Sequence, residues 1–511
     1  MELSVSDTSR PEPAGASTDS GWRITPLSPW VAAPSVAVLI GLLTVANRYG
    51  FHRDELYFIE SMEHPAWGYV DNPPLTPAIG WISRQVFGDT LFGLRVLPAL
   101  QVAVVVLVVA LLARELGGGR RAQVLAAVVT ATASFFLAIG HLLTTPTFDV
   151  LATCVILLGL CRIVRTGDQR WWIGIGVAIG VGLQNKFTLL LVLASLAAAA
   201  LLTGTWRRLV GWWTLAGAAV ALVIWLPQVL WQFDHDWPQL DFARTLAEQE
   251  GGENRATLVL FQLLILGPPL VPVVIAGIWS LWRRPSWRPV RFVAVGYVVL
   301  LGVLLATGGK GYYAAGLFGA LIAAGSIATV DWVDRGSVPV RASVVGAGLV
   351  VNAVVGVVVT MPILPERFVD GPIGAVNEDV KETIGWPAFV EQVAAVADRE
   401  SMGDRSPVVI VTTDYGTAGA IDRFGAEHGL GPAHSPHNSY ADFRQPPAQD
   451  APVLVIGEAG ANPAWFEECE RRATIATPGG IDNEIDGMAI RLCAAPAEPW
   501  SELWPKMRRL S

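Results

Sequence analysis

The stretch FHRDELYFIESMEHPAWGYVDNPPL, Phe51 to Leu75, lies between two long apolar runs and holds five acidic residues, an arginine, two histidines and a Pro-Pro pair. A chain as apolar as its flanks keeps few ionisable groups, and here they are dense. Two readings follow: a solvated loop, or a reaction centre held at a membrane surface. The rest of the sequence bears on the choice.

Working outward, the flanking runs belong to a series. Hydrophobic residues make up 52% of the 511 residues and charged residues 16%, and the apolar residues come in blocks near bilayer-spanning length. Trp30, Trp171, Trp172, Trp212, Trp213 and Trp282 mark block edges, where an amphipathic ring favours the headgroup region. These features predict an integral membrane protein. Spans are expected over about 30–47, 92–114, 122–140, 146–165, 171–184, 187–204, 213–232, 257–281, 291–307, 311–330 and 342–361, about 11 helices. The fifth and sixth are short for a hydrocarbon layer of about 30 Å.

The connections alternate in character. One set is short and rich in arginine: Arg114, Arg120 and Arg121; Arg162, Arg165 and Arg170; Arg207 and Arg208; Arg283, Arg284 and Arg288; Arg335 and Arg341. The other is longer and mixed or acidic: 48–91, 233–256 and everything after 362. The positive-inside rule puts the arginine set in the cytoplasm. Residues 1–28, rich in Pro, Ser and Thr, then form a disordered cytoplasmic tail, and 29–362 the transmembrane part with 48–91 as its first external loop. A bacterial plasma-membrane location is expected, with membrane lipids as neighbours. No basic stretch suited to nucleic acid occurs.

After Pro362 the apolar blocks shorten to strand length, as in Pro407–Thr413 and Pro452–Glu458, with a helical stretch from Gly416 to Gly429 between them. That alternation predicts an extracytoplasmic α/β domain over 363–511. Cys469 and Cys493 fall within it, where an oxidising compartment permits a bridge, although sequence alone leaves open whether one forms. Cys154 and Cys161 read as apolar packing residues of one span.

Asp54 and Glu55 directly follow the first span, at its outer edge. Pro73 and Pro74 end any helix and bias Asn72 toward extended backbone. A carboxylate at a lipid–water boundary loses solvation, which raises its pKa and its usefulness as a base. His141 and Asp149 fall on the second external connection, Lys186 on the third, and Lys310, beside Tyr312 and Tyr313, on the fifth. Singly, each lysine reads equally as a snorkelling anchor. Together, cations facing carboxylates at one level suit an anionic headgroup and a hydroxyl nucleophile that needs a base.

The segment RDELYFIESMEHPAWGYVDNPPLTPAIGWIS (Arg53–Ser83) resembles the first external loop of bacterial glycosyltransferase family 39, related to the protein O-mannosyltransferases and the aminoarabinose transferases. TTPTFDVLATC, GLQNKFTLLLV, DWPQLDFARTLAEQ and GKGYYAAGLFGAL resemble later segments in the same order, so the likeness covers 30 to about 330. The resemblance implies a GT-C fold: a multi-pass helical membrane protein with a C-terminal extracytoplasmic α/β domain. It implies transfer of a sugar from a polyprenyl-phosphate donor to an acceptor hydroxyl, with inversion. Asp54 then matches the catalytic base and Glu55 its supporting acid. Arg53, Lys186, Lys310, Tyr312 and Tyr313 would bind the donor phosphate, and His64, Tyr69, Asp71 and Asp149 the sugar or acceptor. TTPTFD departs from relatives in lacking Pro directly before its acid. No cluster has metal-ligand spacing, and because some relatives use a divalent ion, a metal stays open as cofactor. The competing class is a transporter or flippase of a lipid-linked saccharide, which favours midplane charges and inverted repeats; here the charges gather at one face.

Overall fold

A computed structural model describes residues 24–400, 408–447, 451–458, 462 and 464–511. Most of the expected tail, residues 1–23, lies outside the described residues. Its end is seated rather than loose: the Ser28 amide donates to Gln123 Oε1 at 2.8 Å.

The chain opens with α1 (Ala32–Val45) and two helices within the first loop, α2 (Arg53–Glu63) and α3 (Leu75–Phe87). Next come α4 (Leu91–Glu115), α5 (Arg120–Thr132), α6 (Ser134–His141) and α7 (Thr145–Thr166). The hairpin of α8 (Trp171–Leu183) and α9 (Leu189–Thr203) leads through one turn, α10 (Trp206–Leu209), into α11 (Trp212–Asp234). α12 (Pro238–Gln249) lies in the second long loop. The apolar part closes with α13 (Gly251–Leu266), α14 (Val271–Arg283), α15 (Phe292–Thr307), α16 (Phe318–Asp334) and α17 (Val338–Thr360).

Among the described residues, 5 helical segments are by themselves long and apolar enough to cross a membrane. Two bent pairs reach that length jointly: α5 with α6, bent by 58°, and α13 with the Pro268–Arg283 segment that contains α14, bent by 84°. The expected straight spans 122–140 and 257–281 are therefore broken. Both breaks have local causes. Ala133 leaves the helical region, and Gly267 takes a positive φ of 89° just before Pro268 and Pro269, a junction that neither side can continue as helix. α1, α8, α9 and α15 are shorter apolar helices. At 13 residues, α8 rises only about 20 Å.

α14 and α16 cross closely because Gly277 and Gly325 let backbones touch: a Cβ on Gly277 would strike the Leu321 carbonyl, and one on Gly325 the Val273 carbonyl. Gly325→Val is expected to lower stability by about 1–3 kcal/mol, as overpacking against an immovable carbonyl does. Thermal unfolding in detergent measures this, and an unchanged midpoint would show that the crossing yields.

After α17 the chain forms a short turn, α18 (Gly374–Val376), and α19 (Trp386–Glu400), then an α/β unit. Its elements are β1 (Val409–Thr412), α20 (Tyr415–Phe424), β2 (Ala433–His434), α21 (Tyr440–Phe443) and β3 (Val453–Ile456), followed by β4 (Phe466–Glu467), β5 (Glu470–Thr474), β6 (Ala489–Cys493), β7 (Ala495–Pro496) and α22 (Trp500–Met507). The sheet order is β2-β1-β3-β6-β5, parallel through β2, β1 and β3 and antiparallel beyond. Strand alternation sorts the faces. Val409, Val411, Val453 and Val455 pack with Trp500 and Trp504 of α22. Ile410, Leu454 and Ile456 join a second core with Trp386 and Phe389 of α19 and Ile421 of α20. That core also contains Leu56, Tyr57, Phe58, Ile59 and Met62 of α2, so the first loop and the C-terminal unit are packed as one body. A disulfide joins Cys469 to Cys493, while Cys154 and Cys161 are buried thiols.

Candidate active site

α2 starts where a capping box fixes it. His52 Nδ1 accepts from the Asp54 amide at 3.1 Å, and Glu55 Oε2 accepts from the His52 amide at 2.9 Å. Glu55 is fully buried and paired with Arg95 of α4 through both carboxylate oxygens, at 2.9 and 2.7 Å. Its Oε1 also accepts the Leu143 amide at 3.0 Å. Arg95 donates onward to the carbonyls of Ala46 and Gly50. One ion pair thus ties α1, α2, α4 and the α6–α7 turn together. Glu55 was expected to assist the base or touch the sugar, yet both its oxygens are committed and sealed, so its place is that of a positioning residue.

Asp54, one residue earlier, points the other way and keeps about 35% of its side-chain surface. Oδ1 accepts from Tyr415 Oη of α20 at 2.8 Å, and Arg53 Nε lies 3.8 Å away. Burial pushes its carboxyl up, but His52, Arg53, the Tyr415 hydroxyl and Lys310 together hold it below the usual carboxylate value. Asp71 behaves oppositely. Burial drives it up to about 7 against the Tyr57 hydrogen bond of 2.6 Å, and the Asp54 charge adds to the rise. Asp54 and Asp71 are therefore pushed apart in pKa, as in sites that divide proton roles.

Lys186 sits between α8 and α9, with Nζ donating to Thr145 Oγ1 at 3.1 Å and Tyr312 Oη at 3.2 Å. The rings of Tyr312 and Tyr313 lie 4.7 and 5.0 Å from it. Burial lowers the ammonium to about 8, with Asp149 and Asp54 opposing and Lys310 adding to the fall. Asp149 is buried, and its Oδ1 has no hydrogen-bond partner among the described residues. Lys310 makes a 2.9 Å ion pair with Glu250. Asp54, Lys186, Lys310, Asp149, Tyr312 and Tyr313 thus share one electrostatic neighbourhood. They lie at one end of the bundle: Asp149 and Arg165 are 16 residues apart on α7, roughly 24 Å at the helical rise, and Arg165 pairs with Glu115 at the far end.

Arg53 keeps its Nε beside Asp54 Oδ1 and pairs through Nη1 with Glu484 of the C-terminal unit. Two other expected residues stand elsewhere. His64 stacks on Phe443 at 4.9 Å and bonds Glu60. Tyr69 is buried and donates to the Ser61 and His64 carbonyls, closing the turn after α2. Among the described residues no group of three His, Cys, Asp or Glu side chains is arranged to hold a metal.

The fold can be matched at this point. A structure of ArnT from Cupriavidus metallidurans bound to undecaprenyl phosphate superposes with a TM-score of 0.58 at 17% identity, covering 91% of this chain and 98% of that one. The apo form gives 0.55 at 16% identity, covering 94% and 98%. The chain has the GT-C glycosyltransferase fold. A mycobacterial arabinofuranosyltransferase, AftD, is similar to this GT-C chain at a TM-score of 0.50 and 13% identity, covering 94% of it but 41% of AftD. Residues 71–231 match the family described as dolichyl-phosphate-mannose-protein mannosyltransferase. An undecaprenyl phosphate-alpha-4-amino-4-deoxy-L-arabinose arabinosyl transferase of Pseudomonas aeruginosa is 27% identical over 246 residues, 45% of this chain and 44% of that protein. The alignment therefore spans less than half of that curated relative.

Sequence reasoning missed Arg95 and Tyr415. Arg95 carried a signal, a lone charge inside an apolar run, which in a membrane helix calls for a partner. Tyr415 carried none: it lies 361 residues from Asp54, and nothing in its own surroundings marks it.

Proposed function

We propose that this GT-C chain is an inverting glycosyltransferase that moves a sugar from a polyprenyl-phosphate carrier to an acceptor hydroxyl, on the extracytoplasmic face of a bacterial plasma membrane. The observation that carries the reading is the pairing, at one end of the bundle, of an ionised and accessible Asp54 with a half-buried Lys186 set beside two tyrosine rings. Supporting it are the GT-C fold and the relatives whose names specify polyprenyl-linked sugars.

In the proposed step, Asp54 Oδ2 takes the acceptor O–H proton as the acceptor oxygen attacks the anomeric carbon from the side opposite the phosphate. The bond from that carbon to the phosphate oxygen breaks, and its electron pair leaves with the lipid phosphate. The leaving group departs already anionic, so it needs charge stabilisation rather than a proton. Lys186, with the Tyr312 hydroxyl, supplies this, and Lys310 adds charge when it releases Glu250. The Asp149 charge favours the ammonium form of Lys186. The proposed arrangement has residues 29–362 as the membrane domain and 363–511 outside, where an oxidising compartment suits the Cys469–Cys493 bridge. The arginine-rich connections then face the cytoplasm.

A panel of polyprenyl-phosphate sugars, scored by protection against thermal unfolding, tests the donor class. Undecaprenyl phosphate alone is expected to protect the wild type. Lys186→Met should bind it about tenfold to a hundredfold more weakly, the loss of one charge-assisted contact. Wild-type binding should also weaken as pH rises through about 8, where Lys186 sheds its proton. Equal protection of wild type and Lys186→Met would remove Lys186 from the phosphate site.

A further inference from the structure

The C-terminal unit reaches Asp54 through the Tyr415 hydroxyl. α20 lies against α2 at backbone distance: a Cβ on Gly419 would come within 2.9–3.1 Å of Leu56, and one on Gly416 within 2.8 Å of Arg53 Cβ. The first turn of α20 is clamped, because Asp414 Oδ1 accepts the Gly416 amide at 2.6 Å while Oδ2 meets His437 Nδ1 at 3.1 Å. The Tyr415 ring packs against Tyr57, centroids 4.7 Å apart and planes tilted by 31°, and the Arg53 guanidinium lies 5.5 Å from its centroid. Tyr57 in turn bonds Asp71 and receives the Ser439 amide. The phenol therefore has one orientation, with Oη on Asp54 Oδ1. Among the described residues Oδ2 has no hydrogen-bond partner.

We infer that Tyr415 is a positioning residue for the glycosyl transfer: its hydroxyl holds Asp54 Oδ1 so that Oδ2 alone receives the acceptor proton, and the outer domain thereby completes the active site. This rests on the role proposed for Asp54. The arrangement ties the orientation of the base to docking of the outer domain, since among the described residues Tyr415 makes the hydrogen bond to Oδ1, with Arg53 Nε standing off at 3.8 Å.

His52 at the N-cap of α2, Arg53 in its first turn, Tyr415 from α20 and Lys310 from the fifth external connection all favour the Asp54 anion, and Lys186 and Tyr312 also lie close enough to feel its charge. Asp71 lies close enough to feel its charge. Asp414 and Glu484 face Arg53. Removing the hydroxyl alone thus has a defined sign: Asp54 becomes easier to protonate.

The test needs no substrate. In full-length protein labelled with [4-13C]aspartate, the infrared carboxylate band absent from Asp54→Asn belongs to Asp54. Its titration midpoint is expected below the ordinary carboxylate value in the wild type, and roughly half to one pH unit higher in Tyr415→Phe, the share of one hydrogen bond. That variant keeps the ring against Tyr57 and Arg53. Should it fail to fold, 3-fluorotyrosine at 415, a stronger donor of the same shape, is expected to move the midpoint down instead. Midpoints unchanged by either replacement would overturn the inference. Because the readout is a titration rather than turnover, a failed base assignment for Asp54 shows separately, as turnover retained by Asp54→Asn.

Discussion

Asp54→Asn is expected to lower sugar transfer by about 10²–10⁴-fold, the usual worth of a single general base, while leaving the thermal midpoint near that of the wild type. The side chain is isosteric and partly exposed, and the neutral amide still accepts from Tyr415. What it loses is the capacity to take a proton. The pH profile carries the same information. Asp54 is held below the usual carboxylate value by His52, Arg53, Tyr415 and Lys310 acting against burial, so the wild-type rate should stay supported by this group through neutral and mildly acidic pH. It should fall only as pH drops through that depressed value and the base becomes protonated. A transferase whose rate failed near neutrality would be limited by another group, and Asp71, raised to about 7, is the first candidate in the loop. Near-normal turnover by Asp54→Asn would remove the base from its role.

Arg95→Met is expected to cost about 3–5 kcal/mol of stability, because it leaves the Glu55 carboxylate buried without its countercharge. The loss should appear as a lowered thermal midpoint and a poor yield of folded protein. Adding Glu55→Leu should recover part of it, since two apolar residues avoid the stranded charge. Recovery stays partial because Glu55 also accepts the His52 and Leu143 amides, and those donors would then be buried unpaired. A full return to wild-type stability would mean that the amides find other partners. An unaffected Arg95→Met single variant would mean that the pair does not hold α2 at all.

The apolar scaffold was legible because hydropathy is a local property. Expected spans 30–47, 213–232 and 342–361 correspond to α1, α11 and α17 within a few residues. The same averaging hid the bends: a window over 257–281 reads Gly267-Pro268-Pro269 as part of a continuous run, although those three residues end one helix and start another. It also read 48–91 as loop, where the capping box at His52 and Glu55 starts α2. Pro407–Thr413 and Pro452–Glu458 were legible as strands, and they pair as β1 and β3.

The site was legible to the extent that its residues are ionisable groups in apolar surroundings, which brought out Asp54, Asp149, Lys186 and Lys310. Their partners were not. Nothing in the sequence says that Lys310 spends its charge on Glu250, or that His64 and Arg53 turn to the outer domain, because those pairings are set by the packing of α20 and α21 on α2. Glu55 was misjudged for the same reason: adjacent acids look alike in sequence, and the helical turn sends one outward to Tyr415 and the other inward to Arg95.

In the proposed function Asp54 and Lys186 serve one lipid-linked phosphosugar. A structure of the protein with undecaprenyl phosphate bound tests it most directly. The phosphate is expected within hydrogen-bond distance of Lys186 Nζ, with Asp54 facing the position of the missing sugar. A phosphate seated away from Lys186, or among the arginines at the opposite end of the bundle, would contradict it.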